Sequence, residues 1–551
     1  MITRICTGLT LASILLFASA CSTKISEHDV IIRGGSLYDG SGVAPVVTDL
    51  AIDGDQITQI GNLNKHSGRR EIDATGLAVA PGFINMLSWA NVSLIQDGRS
   101  LSDISQGVTL EVMGEGFSMG PLNDAMRQEL IDRQSDITYD VSWTSLAEYL
   151  QYMEDRGIST NIASFVGASS VRVHELGYED REPNKEELQR MKLLVRQAME
   201  EGAMGLGSSL PYIPAPFSTT EELIALTKVV AEYDGMYISH IRNEGDEIFP
   251  AVEELITIVR ESGARGEIYH LKASHKRNYD KLDGVIDMIE AARAEGLPVT
   301  ADIYTYNASS TGLNYDLPAW VKEGGHEKFV ERLQDPAMRE RVIAETEMIP
   351  PEDLLLVSFR NKDLRYLTGK TLAEVSEMRG TSPVETAMDL IVEDDSRIGT
   401  VRFTMSEDNI RKKIALPWVS ICSDSGSVAP EPPFTNSQPH PRAYGSFARL
   451  LGKYVREEQV ITLEDAIYRM TGLPATNLKL DRRGKLAAGN YADIVIFDPE
   501  TVIDQATFED PHQLASGILH VFVNGGQVIR DGEHTGITPG RFVKGPGWQQ
   551  Q

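Results

Sequence analysis

From Gly82 to Asp424 the chain alternates short apolar runs with longer segments in which apolar residues recur every three to four positions. The short runs read as strands: Gly82–Met86, Val108–Gly114, Ile162–Gly167, Ala203–Ser208, Met236–Ile241, Glu267–Lys272, Pro298–Tyr306 and Trp418–Asp424. Between them, Lys185–Glu201, Thr220–Tyr233 and Pro250–Ser262 carry the period of about 3.6 residues that marks amphipathic helices. Pro250 suits a first helical position. Eight strands alternating with helices predict an α/β protein built as a (β/α)8 TIM barrel. A doubly wound sheet uses the same alternation.

Both ends of the chain have another texture. Val30-Ile31-Ile32, Leu50-Ala51-Ile52 and Gln56 to Ile60 are short strand-like runs, divided by turn signals at Asp39-Gly40, Asp53-Gly54 and Ser67-Gly68. Asp493 to Phe497 and Val521-Phe522-Val523 match them, the second ending in an Asn524-Gly525 turn. Residues 28–79 and 481–551 are therefore expected to build one small β-sandwich beside a barrel spanning 80–480. Residues 309–400 do not fit a bare repeat. They carry extra helices, a Pro350-Pro351 break and a strand at Leu354–Phe359. This reads as an insertion before the last barrel strand, placed to cover the mouth as a lid.

The first twenty residues read as export machinery rather than fold. Arg4 precedes the apolar stretch Leu9–Phe17, and Ala18-Ser19-Ala20 leads into Cys21. This resembles a lipoprotein signal peptide over 1–20, with Ala18 where leucine is usual. It implies cleavage before Cys21, lipidation of Cys21 and a polar tether over 21–27. Ser22 points to the outer membrane, with the protein facing the periplasm.

Composition narrows the partners. With 52 Lys and Arg against 80 Asp and Glu, the net charge is −28. Such a surface repels phosphate backbones and anionic lipid, which argues against nucleic acid and leaves a lipid anchor as the only membrane contact. Three cysteines, Cys6, Cys21 and Cys422, are too few for a disulfide framework. The oligomeric state is left open.

Barrel chemistry sits at the C-terminal ends of strands. Read in order, those ends offer Glu115 after strand two, His240 and Arg242 at strand five, His270 and Lys272 at strand six, Tyr304 at strand seven and Asp424 at strand eight. Two histidines and a glutamate form a known catalytic zinc set with an open fourth position. A further carboxylate can take the proton of an activated water. Each residue alone has a plainer role: a hydrogen-bonded structural histidine, a turn or helix cap at Asp424, a solvated Glu115, or a salt bridge from Arg242 to Glu244 or Asp246. Their common placement is what points to a site.

Several segments together carry a resemblance. They are Ala80-Pro81-Gly82-Phe83-Ile84, Gln106-Gly107-Val108-Thr109, Ser239-His240-Ile241-Arg242-Asn243-Glu244-Gly245, Ala301-Asp302-Ile303-Tyr304, His440-Pro441-Arg442 and Gly489-Asn490-Tyr491-Ala492-Asp493. From Asp29 to Phe542 the chain resembles the D-aminoacylase branch, the N-acyl-D-amino-acid deacylases, of the amidohydrolase superfamily. The resemblance implies a (β/α)8 barrel with a β-domain built from both termini. It implies zinc-dependent hydrolysis of the amide of N-acyl-D-amino acids, with His240 and His270 as zinc ligands and Asp424 as the catalytic aspartate. It also places Lys272, Arg242 and Tyr304 near the substrate carboxylate or carbonyl.

The chain departs from that pattern twice. The superfamily carries His-x-His after Pro-Gly-Phe-Ile, and here Leu87 and Trp89 hold both positions. Strand two typically ends in Asn-Cys-Gly, and here it reads Gly114-Glu115-Gly116, one residue shorter. Glu115 is thus the candidate replacement ligand, and one zinc per chain, held by Glu115, His240 and His270, is expected. No lysine near the end of strand four is placed to form a bridging carbamate. Two other readings remain: a hydrolase of cyclic amides or D-residue dipeptides, and a non-catalytic ligand-binding lipoprotein with the more apolar mouth that Leu87 and Trp89 create. A scaffold alone has no physical need for four ionisable groups in an apolar mouth, because unpaired buried charge is costly.

Overall fold

The computed structural model describes residues 26–549. The signal peptide, Cys21 and most of the tether lie outside the described residues. Ser26 and Glu27, read as tether, already belong to a strand, Ser26–Leu37, and pair with His66 and Ser67.

Eight parallel strands follow one another close to the expected positions: Phe83–Asn85, Val108–Met113, Asn161–Ser164 continued by Val166–Gly167, Gly205–Ser209, Met236–His240, Arg265–Ile268, Val299–Ile303 and Val419–Ile421. Each pairs with the next in chain order. Strand eight then returns to strand one. Ser88 and Ser425 form a parallel bridge, and Asp424 N–H donates to Leu87 O at 2.9 Å. Ile84, Val112, Ala163 and Ile238, from four of these strands, meet Tyr269 and Cys422, which directly follow strands six and eight, in a single apolar cluster. Alternation along strand five puts Met236 and Ile238 into that cluster, which carries His240 to its rim.

Helices cover the outer faces. Lys185–Glu200 opens with a reciprocal Asn184–Glu187 capping box and buries Met191, Val195 and Met199. The helix with Pro250 begins at Ile248, so the proline is its third residue rather than its first. The position costs nothing, because first-turn N–H groups have no intrahelical acceptor.

The terminal segments form one nine-stranded hydrogen-bonded sheet. Ala78–Pro81 joins its halves, pairing parallel with Ser36 and Leu37 and antiparallel with Ile494–Phe497. Val30, Leu50, Ile72, Ile494 and Phe522 share its core. The chain beyond this sheet does not stay with it. Gly540, Val543 and Gly545 donate backbone bonds to Ile158, Ile162 and Gly202, beside the N-terminal ends of strands three and four.

The insertion is more ordered than bare helices. Ser309–Gly312, Leu354–Ser358 and Gly399–Arg402 form a three-stranded antiparallel sheet, in which the entering and leaving strands are paired neighbours. Leu313, Phe329, Leu356, Leu372 and Ile391 give it a core of its own.

Candidate active site

Strand two hands Glu115 to the mouth through two glycines. Gly114 has φ +106°, where a Cβ would collide with the Phe165 carbonyl, so only glycine makes this turn. Glu115 Oε1 then lies 3.0 Å from His240 Nδ1 and 3.3 Å from His270 Nε2, and Ser209 Oγ donates to it at 3.2 Å. One ligand atom of each of Glu115, His240 and His270 lies within 4.8 Å of the others, and all three residues are buried. The two imidazoles meet edge to face with centroids 4.4 Å apart.

Glu244 stands behind both rings. Its Oε2 is 3.4 Å from His240 Nε2 and its Oε1 is 3.2 Å from His270 Nδ1. Lys272 Nζ donates to Glu244 Oε1 at 2.5 Å and lies 2.7 Å from His270 Nδ1. A carboxylate behind a ligating imidazole fixes its tautomer and raises its basicity. From sequence, Glu244 stands only as a candidate salt-bridge partner for Arg242.

The charges fit a cation. Burial would raise the Glu115 carboxyl, but hydrogen bonds from His240 and His270 hold it well below the usual carboxylate range. Burial and the Lys272 ammonium push His270 down. The Asp424, Glu115 and Glu244 carboxylates outweigh them and raise it to about 9. A divalent ion satisfies the same carboxylates without those protons. Two imidazoles and a carboxylate form a donor set suited to zinc.

Asp424 leaves strand eight with φ +49°. Its Oδ2 is 2.7 Å from an Arg442 guanidinium nitrogen, and its Oδ1 accepts from Trp89 Nε1 at 3.2 Å. The same indole donates to Glu115 Oε2 at 3.1 Å. Arg442 lies 4.5 Å from the Tyr304 ring centroid, and the Tyr304 hydroxyl donates to Met405 Sδ at 3.2 Å. Trp89, Glu115, Tyr304, Asp424 and Arg442 line a cavity of about 830 Å³, whose walls also include Thr311, Tyr315 and Arg402 of the insertion.

Of the residues chosen from sequence, Glu115, His240, His270, Lys272, Tyr304 and Asp424 all line this cavity. Arg242 does not: it is turned away and held by Glu254 at 2.8 and 2.9 Å and by the Pro216 and Ser218 carbonyls. Its partner is therefore neither Glu244 nor Asp246. Arg442, by contrast, lines the cavity beside Asp424. His440, considered for a substrate contact, is buried, with Nε2 2.9 Å from the Ala308 carbonyl and its ring among Tyr306 and Phe508.

Residues 70–529 match the amidohydrolase family model. The D-aminoacylase of Alcaligenes xylosoxydans xylosoxydans is 33% identical over 524 residues, covering 94% of this chain and 97% of its own. The chain belongs to the amidohydrolase family. Two solved structures align with this amidohydrolase over 94% of its length and 100% of theirs. One is the N-acyl-D-glutamate deacylase of Bordetella bronchiseptica with zinc and a phosphonate mimic of the tetrahedral intermediate, at TM-score 0.79 and 30% identity. The other is a D-aminoacylase, at TM-score 0.79 and 32% identity, whose binuclear centre is described as activated by one metal and attenuated by the second. In the present amidohydrolase the two strand-one positions are Leu87, fully buried in the apolar cluster, and Trp89.

Proposed function

We propose that this amidohydrolase hydrolyses the amide bond of N-acyl-D-amino acids, in a (β/α)8 barrel, with a single zinc held by Glu115, His240 and His270. The observation that carries the reading is that these three ligands, Asp424 and Arg442 meet in one cavity. Zinc bound there supplies Lewis acidity, acidifying a water and polarising a carbonyl.

The protein's own groups do the rest. Arg442 and Lys272 are the cations facing the substrate carboxylate, and Arg442 suits a planar, two-point pairing. Tyr304 stacks beneath that guanidinium and fixes its plane. Asp424 takes the proton of the attacking water at a carboxylate oxygen and gives it to the departing nitrogen. Glu244 keeps both histidines oriented through their outer nitrogens. The insertion walls the cavity and limits water. The preference for D-residues is supported by the relatives' substrates. An exported, lipid-anchored protein, modified at Cys21, is part of the same proposal.

Elemental analysis of the mature protein, paired with a screen of N-acyl amino acids in both stereochemical series, tests this reading. One zinc per chain and turnover confined to the D series are expected. No metal after zinc supplementation overturns it, as does turnover of cyclic amides alone.

A further inference from the structure

Trp89 occupies an unusual place for an indole. It is 41% exposed at the cavity mouth, yet its N–H is shared by two carboxylates, Glu115 Oε2 at 3.1 Å and Asp424 Oδ1 at 3.2 Å. The backbone dictates this position. Ser88 N–H donates to Val112 O on strand two at 2.7 Å, and Trp89 N–H donates to Ser425 O beside strand eight at 2.9 Å. Trp89 thus emerges between the strand that delivers Glu115 and the strand that delivers Asp424. Two anionic groups so close repel unless something positive or hydrogen-donating lies between them. In the related D-aminoacylase the centre is binuclear. Here the space between the two carboxylates holds a neutral N–H donor, and Leu87, two residues earlier, is buried in the apolar cluster.

We propose that Trp89 stands in for a second metal ion: its indole N–H holds Asp424 in register with Glu115 and closes the position that a second cation would otherwise take. Trp89 is a positioning residue, touching the ligand and the base rather than the reacting atoms. The enzyme therefore keeps the one-metal state at any zinc concentration.

The inference rests on the zinc site proposed above, and the experiment separates the two. Zinc is titrated into the metal-free mature wild type, Trp89→His and Trp89→Phe, and bound zinc is counted by native mass spectrometry and elemental analysis. Wild type saturates at one zinc. Trp89→His saturates at two, because an imidazole adds a nitrogen ligand beside two carboxylates already in place. Trp89→Phe keeps one zinc but loses about tenfold in kcat at unchanged KM, the loss of one charge-oriented hydrogen bond. Thermal melting confirms that each variant is folded. Wild type with no zinc removes the metal site itself. Wild type saturating at two, a folded Trp89→His staying at one, or Trp89→Phe with wild-type kcat, each overturns the role of Trp89 and leaves the metal site standing.

Discussion

Arg442 reaches back from the segment after strand eight to place a guanidinium nitrogen 2.7 Å from Asp424 Oδ2, at the edge of the Glu115, His240 and His270 cluster. Its Nε has no hydrogen-bond partner among the described residues, although the side chain is buried. A buried, under-satisfied guanidinium beside the proposed base is a waiting site for a carboxylate. Lysine keeps the charge but not the planar fork. Arg442→Lys should raise KM for N-acyl amino acids roughly 10- to 100-fold, the scale of one charged hydrogen bond of about 1.5–3 kcal/mol. Steady-state kinetics check this, with the corresponding neutral ester as a substrate that should be far less affected.

Asp424→Asn keeps the shape and removes the proposed base. Turnover should fall by roughly 10²- to 10⁴-fold, the usual range for a general acid–base group. The zinc content should be unchanged, because Asp424 lies outside the three-ligand set. Metal analysis and kinetics on the same sample separate a lost base from a lost metal.

Gly114→Ala should damage the site from the backbone. At φ +106° alanine is strained, and its Cβ runs into the Phe165 carbonyl. Strain of this kind costs about 1–3 kcal/mol. Relief moves the Glu115 turn. A lower melting temperature together with weaker zinc binding is the expected pair of results, measured by calorimetry and metal titration.

Glu267 offers a stability test away from the mouth. Burial, then the nearby Asp302 carboxylate, raises its pKa to about 8, and Thr300 and Asn477 hydrogen-bond to it. The folded protein therefore keeps a proton that the unfolded chain releases above about pH 4.3. This contribution is most favourable below that pH and is progressively lost as pH rises towards 8. Glu267→Gln mimics the protonated carboxyl. Its stability advantage over wild type should grow between pH 5 and 8, read as the difference in melting temperature across that range.

Much of the strand framework was visible in the sequence for a physical reason. Parallel strands covered on both faces read as continuous apolar runs, so Val108–Gly114 differs from the observed Val108–Met113 by one residue. The two histidines and Glu115 were legible because they end such runs. Arg242 was misplaced because a strand-end position does not fix where a long side chain goes. Glu254, on the helix that follows, captures it. The placement of Trp89 depends on a partner far along the chain. Trp89 meets Asp424 across 335 residues, and no local pattern carries that pairing. The continuity of the terminal sheet was hidden likewise, since it joins Ala78–Pro81 to Ile494–Phe497.

The insertion enters and leaves the fold through two strands that pair with each other, Ser309–Gly312 and Gly399–Arg402, and it packs around its own core. Such a segment is a cassette. Its attachment points stay adjacent whatever it contains, and Thr311, Tyr315 and Arg402 face the cavity from it, whereas the proposed metal ligands and base come from strands two, five, six and eight. Acyl and side-chain preference can therefore be rewritten within this stretch while the bond-breaking machinery stays untouched. Transplanting it between related deacylases should move selectivity as a unit.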